Sequence, residues 1–228
     1  MIYARKFVQI PKSAKIITPI HLATLPSFMN KTGDGIAPSA IPWQVSITNH
    51  WKPHFCSGVI LDHKTVLSSA GCFKKLKTLK GIRVMAGDVN YKVGQNIGVR
   101  KLRFLSHNED LVILKLVSSL HINENVLPAC LPTFERNKQC YFSGWGENES
   151  LKWANIEVGD KCSRKEDILC TTNANQGLFG PKDGGGPLIC TEGNNPVLIG
   201  IATSVSSQMT FSTVESHMTW ILQNMVRF

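Results

Sequence analysis

The sequence predicts an all-β protein ending in one short helix, and three observations carry that prediction. Alternating runs such as Trp43-Gln44-Val45-Ser46-Ile47 have the two-residue period of a half-buried strand. Val197-Leu198-Ile199-Gly200-Ile201-Ala202 is a continuous apolar run of the kind found in a strand covered on both faces. Helical character is confined to the closing stretch, Glu215 to Arg227. At 228 residues the chain is long enough to bury a sizeable core within one domain. Its 43% hydrophobic and 18% charged content is ordinary for a globular protein. There is no internal repeat, low-complexity tract or 18-residue apolar span, so no transmembrane helix is predicted.

Taken in chain order, the segments carry more than periodicity. The strand Pro42-Trp43-Gln44-Val45-Ser46-Ile47 is followed by Phe55-Cys56-Ser57-Gly58-Val59-Ile60-Leu61 and by Ser68-Ser69-Ala70-Gly71-Cys72. Next come Asp110-Leu111-Val112-Ile113-Leu114-Lys115-Leu116, Pro128-Ala129-Cys130-Leu131-Pro132 and Cys140-Tyr141-Phe142-Ser143-Gly144-Trp145-Gly146. Lys182-Asp183-Gly184-Gly185-Gly186-Pro187-Leu188 precedes a closing His217-Met218-Thr219-Trp220-Ile221. In this order the motifs resemble those of trypsin- and chymotrypsin-like serine proteases, from about Gly33 to Phe228. The resemblance implies a chymotrypsin-like fold of two six-stranded antiparallel Greek-key barrels with a C-terminal helix. It divides the chain into an N-terminal extension over 1–32, a degenerate pro-segment, and a peptidase-like domain over 33–228.

That family works through a serine that attacks, a histidine that takes its proton and an aspartate that orients the histidine. Carried over by motif, the serine position is Gly184, the histidine position is Gly71, and the aspartate persists as Asp110. Glycine has no group with which to form an acyl-enzyme. Loss of the nucleophile alone removes about 10⁶ in turnover from a comparable protease, and loss of the base adds little. Asp110 is then expected to persist as a strand-edge carboxylate accepting backbone N–H bonds. Of the histidines at 21, 50, 54, 63, 107, 121 and 217, none lies in a segment the family brings to its catalytic centre, and His107 is nearest to Asp110 in sequence.

The activation and specificity parts are altered too. The family's apolar Ile-Val-Gly-Gly amino terminus corresponds to Asn30-Lys31-Thr32-Gly33, preceded by Met29. Asp183, which such a terminus would pair with, needs another cation or several N–H donors if buried. The basic-residue selector of trypsin-like relatives corresponds to Leu178. The segment that pairs with substrate backbone corresponds to Thr203-Ser204-Val205, and Gly180 stands where a pocket-bracing cysteine would be. The stretch from Trp145 to Cys170 is 25 residues, shorter than usual for the family. The glycine-rich run Gly184 to Gly186 leaves a remnant oxyanion hole as an expectation.

Seven cysteines allow three pairs and one odd thiol. The resemblance implies Cys56–Cys72, Cys140–Cys190 and Cys162–Cys170. Cys130 is left over, either as an odd thiol or as one end of an inter-chain disulfide. No Cys-x-x-Cys spacing suggests a metal site, and no metal or cofactor is expected. Disulfides imply an oxidising compartment, and the family resemblance implies a secreted protein. Met1 to Asn30 nonetheless lacks the continuous apolar core of a signal peptide. Asn30 and Asn148 head Asn-x-Ser/Thr sequons and become glycosylation sites if the chain is secreted.

The formal net charge is +9. Lys74, Lys75, Lys77, Lys80 and Arg83 cluster, followed by Arg100, Lys101 and Arg103. Such a face suits polyanions such as heparin-like glycans, acidic proteins or anionic membranes, or serves simply as a solvated surface. No segment resembles a nucleic-acid fold or stacking platform. The sequence therefore points to a non-catalytic serine protease homologue that acts through a protein partner or a polyanion. The alternatives are a residual serine-type endopeptidase using other residues, or a chain without a folded function.

Overall fold

Hydrophobic alternation on β1 (Gln44–Thr48) sends Val45 and Ile47 into the first barrel, yet Gln44 and Ser46 between them are buried as well. The strand predicted to be half-buried is covered on both faces, because its polar side meets the second half of the molecule. There the Ser143 hydroxyl donates to Gln44 Oε1 at 2.8 Å. These observations come from a computed structural model, which describes residues 38–50, 53–105, 110–132, 140–147, 149–159, 167–171, 178–192 and 195–226.

The first barrel also contains β2 (Cys56–Asp62), β3 (Thr65–Ser69), β4 (Arg83–Ala86), β5 (Gln95–Phe104) and β6 (Leu111–Leu116). Their order is β1-β2-β3-β6-β5-β4, and β4 pairs back onto β1 with Val45 opposite Ala86. Closure leaves no unpaired edge. The interior is mainly aliphatic, with Ile47, Ile60, Val66, Val84, Val112 and Leu114 fully buried.

The second sheet comprises β7 (Cys140–Gly144), β8 (Lys152–Ile156), β9 (Val158–Gly159), β10 (Ile168–Thr171), β11 (Pro187–Glu192), β12 (Asn195–Ser204) and β13 (Thr210–Thr213). It runs β8-β7-β11-β12-β13-β10-β9. Only Glu157 separates β8 from β9, so the two ends of that order are one bent stretch of chain, and the barrel closes through it. The expected six strands thus become seven by interruption of one. The apolar run Val197–Ala202 lies within β12 and is largely buried, as its composition predicts.

Trp43, Leu111, Trp145, Trp153, Ile201 and Ile221 fill the seam between the barrels and under the terminal helix. That helix, α1 (Met218–Val226), follows a single 3-10 turn at Glu215–His217, which shortens the predicted helical stretch at its start. Lys115 fixes its far end, donating to the Met225 carbonyl at 3.1 Å and to Thr65 Oγ1 at 2.9 Å. A cation there complements the partial negative charge of a helix C-terminus. Burial holds the Lys115 ammonium below its ordinary pKa. Disulfides join Cys56 to Cys72 and Cys140 to Cys190. Cys170 is also disulfide-bonded, and the expected partner Cys162 lies outside the described residues.

Candidate functional site

The fold gathers the three positions inferred from sequence, and it does so through backbone. Ser69 ends β3, and its hydroxyl accepts from Gly71 N at 3.3 Å, capping a 3-10 turn over Ala70–Cys72. Ala70 N donates to the Asp110 carbonyl at 3.0 Å, which ties that turn to the start of β6. Cys72 Sγ lies 3.6 Å from the Gly184 carbonyl oxygen, which accepts from Ser57 N at 2.9 Å. Gly71 and Gly184 therefore lie beside one disulfide, and Asp110 is tied to the same turn through Ala70.

Neither glycine is demanded by its backbone. Gly184 has φ −51° and ψ 136°, values open to any residue, and a Cβ there would first meet the Pro181 carbonyl at 3.2 Å. At Gly71 the nearest atom would be Ser69 Oγ at 3.4 Å. The neighbouring Gly185 is a different case: φ is +85°, and a Cβ would fall 2.2 Å from the Ser57 carbonyl.

The expectation of a remnant oxyanion hole is corrected by the hydrogen bonds of that loop. Gly184 N donates to Pro181 O at 3.3 Å, Gly185 N to Ala202 O at 2.7 Å, and Gly186 N to Asp183 O at 2.9 Å. All three donors are committed inside the fold, so none of them points at an incoming carbonyl or anion.

Asp183 is fully buried, and the question of its partner has a definite answer. Its carboxylate accepts from Trp145 N at 2.7 Å, Gly146 N at 3.0 Å and Gly180 N at 2.9 Å. Burial pushes its pKa up, and the three amides pull it back down. Lys182, adjacent in sequence, instead pairs at the surface with Glu147. Gly144 makes room for this arrangement, since a Cβ there would lie 2.3 Å from Asp183 Oδ1.

Around Leu178 the second barrel has a core. Phe179, Val205, Met209 and Phe211 are buried in one cluster with Phe142, and Leu178 packs against it. Phe142 meets Phe179 edge-on at 4.8 Å and Phe211 at 5.6 Å. Thr171 Oγ1 accepts from Met209 N at 3.1 Å, holding the methionine in place. Met209 escaped the sequence reading because one apolar residue in Ser206-Ser207-Gln208-Met209-Thr210 carries no periodic signal.

A second feature the sequence reading missed is a hydroxyl–imidazole contact. Ser46 Oγ lies 2.7 Å from His54 Nδ1. His54 stacks on Tyr91 with ring centroids 5.3 Å apart and lies 5.1 Å from the Trp145 ring. Burial, aided by the Lys182 ammonium, lowers its pKa to about 4, so it is neutral near pH 7. Ser46 has no exposed surface. His217 Nε2 lies 3.6 Å from Asp167 Oδ2. Burial lowers the His217 pKa, and Asp167 and Asp110 act against that shift. His217, not adjacent in sequence, is thus the described histidine that senses Asp110, while His107 lies outside the described residues.

Asn30, Asn148 and Cys162 also lie outside the described residues. Cys130 is half-buried next to β12, where its carbonyl accepts from Leu198 N at 2.8 Å. Among the described residues no group of three or more His, Cys, Asp or Glu is placed to hold a metal ion, and no helix is long and apolar enough to cross a membrane.

The trypsin family model matches residues 31–221. That match covers most of the chain and, with the paired barrels, shows that the chain belongs to the trypsin family.

Proposed function

We propose that this protein is a non-catalytic member of the trypsin family, whose role lies in binding through its surface. The observation that carries this reading is the pair of glycines at 71 and 184, which leave no imidazole and no hydroxyl where the backbone converges. Two further features support it. The donors at Gly184 to Gly186 are used internally, and Met209 and Phe179 are buried in the core against which Leu178, the counterpart of the basic-residue selector, packs. Hydrolysis would need all of these changed together.

The Ser46–His54 contact favours a second reading, a residual serine hydrolase, because 2.7 Å is within nucleophile–base reach. Complete burial of Ser46 argues against it, since no substrate carbonyl reaches the hydroxyl. Incubation of the disulfide-bonded protein with a fluorophosphonate probe separates the two. No labelled serine is expected; labelling that disappears in Ser46→Ala would establish the hydrolase and end the non-catalytic reading.

In this proposal the binding unit is the domain over 33–228, acting in an oxidising, extracellular setting. Its ligand is a protein or a polyanion such as heparin, met by Lys74, Lys75, Lys77 and Lys80. All four side chains are exposed.

A further inference from the structure

Nearly all of the net charge of this chain resides in one stretch. Residues 72–103 hold nine cationic side chains (Lys74, Lys75, Lys77, Lys80, Arg83, Lys92, Arg100, Lys101 and Arg103) against the single carboxylate of Asp88. That is a net +8 of a total +9. The stretch is not one run in space by virtue of sequence, because β4 and its turn separate the two cationic groups.

The fold reunites them. Val99 N donates to the Ile82 carbonyl at 3.1 Å, where the segment after the 3-10 turn meets β5. Arg83 and Arg100 each stand one residue from that contact, so the lysine segment and the β5 cations are continuous there. On β5 a register shift between Val99 and Lys101 makes Arg100 the extra residue of a bulge. Regular alternation would turn one of two neighbours inward. With the bulge, Arg100 and Lys101 are both exposed, and Arg103 follows, also exposed. Arg83 is oriented by Asn96, donating from its Nη2 to the Asn96 carbonyl at 2.9 Å and from Nε to the Asn96 side chain. Lys75, Lys77, Lys80, Arg100, Lys101 and Arg103 have no ion-pair partner among the described residues. Burial lowers the Lys115 pKa, Asp62 acts against that shift, and Arg100 and Arg103 add to it.

We infer that the segment 74–83 and the outer side of β5 form one anion-binding face whose ligand is a linear sulfated polysaccharide. This deepens the polyanion reading above and rests on it. Long, exposed lysine and arginine side chains spread over a turn and a strand match many separate sulfates better than one small anion. Among the described residues, exposed aromatic rings that would stack bases are lacking beside these cations, apart from the strand-end Phe104. The disulfide-bonded fold suits the extracellular setting of such glycans.

The test measures binding of the disulfide-bonded protein to immobilised heparin across a salt series. It compares Lys75→Gln/Lys77→Gln, Arg100→Gln/Lys101→Gln and a control of equal charge loss on the second barrel, Lys152→Gln/Lys182→Gln. Each of the first two variants should lower the slope of log affinity against log salt by about two, one for each contact removed. The control should leave the slope unchanged, and thermal unfolding should report an intact fold in all three. Equal effects in all three would mean net charge alone drives retention, and would overturn the face; so would unaltered binding in either test variant. Sedimentation with phosphatidylserine vesicles provides the other arm, and vesicle binding without heparin binding would assign the face to a membrane and overturn the glycan. Failure here leaves the fluorophosphonate result untouched, so the two readings fail separately.

Discussion

The first barrel closes strand to strand around a mainly aliphatic interior, whereas the second closes through one bent strand around Phe142, Phe179, Met209 and Phe211. The first holds nearly all of the net charge on its outside; the second holds the buried Asp183 and the Gly184 to Gly186 run. A barrel with no free edge leaves mainly its outer surface open to change, and on this chain that surface is cationic. The second barrel has a different problem, a charge inside an apolar core. Phe179, Val205 and Met209 pack there with Phe142 and Phe211, and the buried Asp183 is satisfied by three amides.

The strongest challenge to this contrast is Asp183→Ala. It strands the N–H groups of Trp145, Gly146 and Gly180 in a buried site, so a loss of about 4 kcal/mol in urea unfolding is expected. A loss near zero would mean that the second barrel does not depend on the clamp. Met209→Ala comes next. If the methionine is core, the substitution costs about 3 kcal/mol and yields no hydrolysis of peptide esters; a neutral change would mean the methionine contributes nothing to the second core.

The third prediction concerns the seam between the barrels. His54 takes up its proton near pH 4 in the fold but near 6.5 in the unfolded chain. As pH falls the unfolded chain is protonated first, so the contribution of neutral His54 is complete above about 6.5 and is lost between about 6.5 and 4. At pH 5 the loss is about 2 kcal/mol relative to pH 7. His217, also lowered, has the same sign, and Asp183, raised by burial, has the opposite one. The difference between wild type and His54→Gln across pH isolates the effect, and a flat difference would remove His54 from the account. The smallest effect belongs to Lys182→Gln. Its pairing with Glu147 is exposed, so stability should change by less than about 0.5 kcal/mol. A larger loss would indicate that Lys182, rather than backbone, supports Asp183.

Much of this was legible in the sequence. Trp43 to Ile47, Asp110 to Leu116 and Cys140 to Gly146 located strands in both barrels, and the family resemblance implied that Gly71, Asp110 and Gly184 lie near one another. The full burial of Gln44 and Ser46 was not legible, because period-two patterning shows that residues face opposite sides but not what covers each side. The commitment of the Gly184 to Gly186 amides was hidden for a related reason: a glycine run supplies donors, but its acceptors lie at Pro181, Ala202 and Asp183.

The sequence by itself pointed to the family and put glycines at 71 and 184, since motifs and residue identities need no coordinates. It also determined the charge, which is a sum over residues. Only the tertiary structure decided that Asp183 is held by amides, that Met209 is buried in the second core, and that the segment ending at Arg83 lies against β5 beside Arg100. These depend on which distant groups come within a few ångströms, and contact distances follow from the packing of both barrels rather than from any one segment.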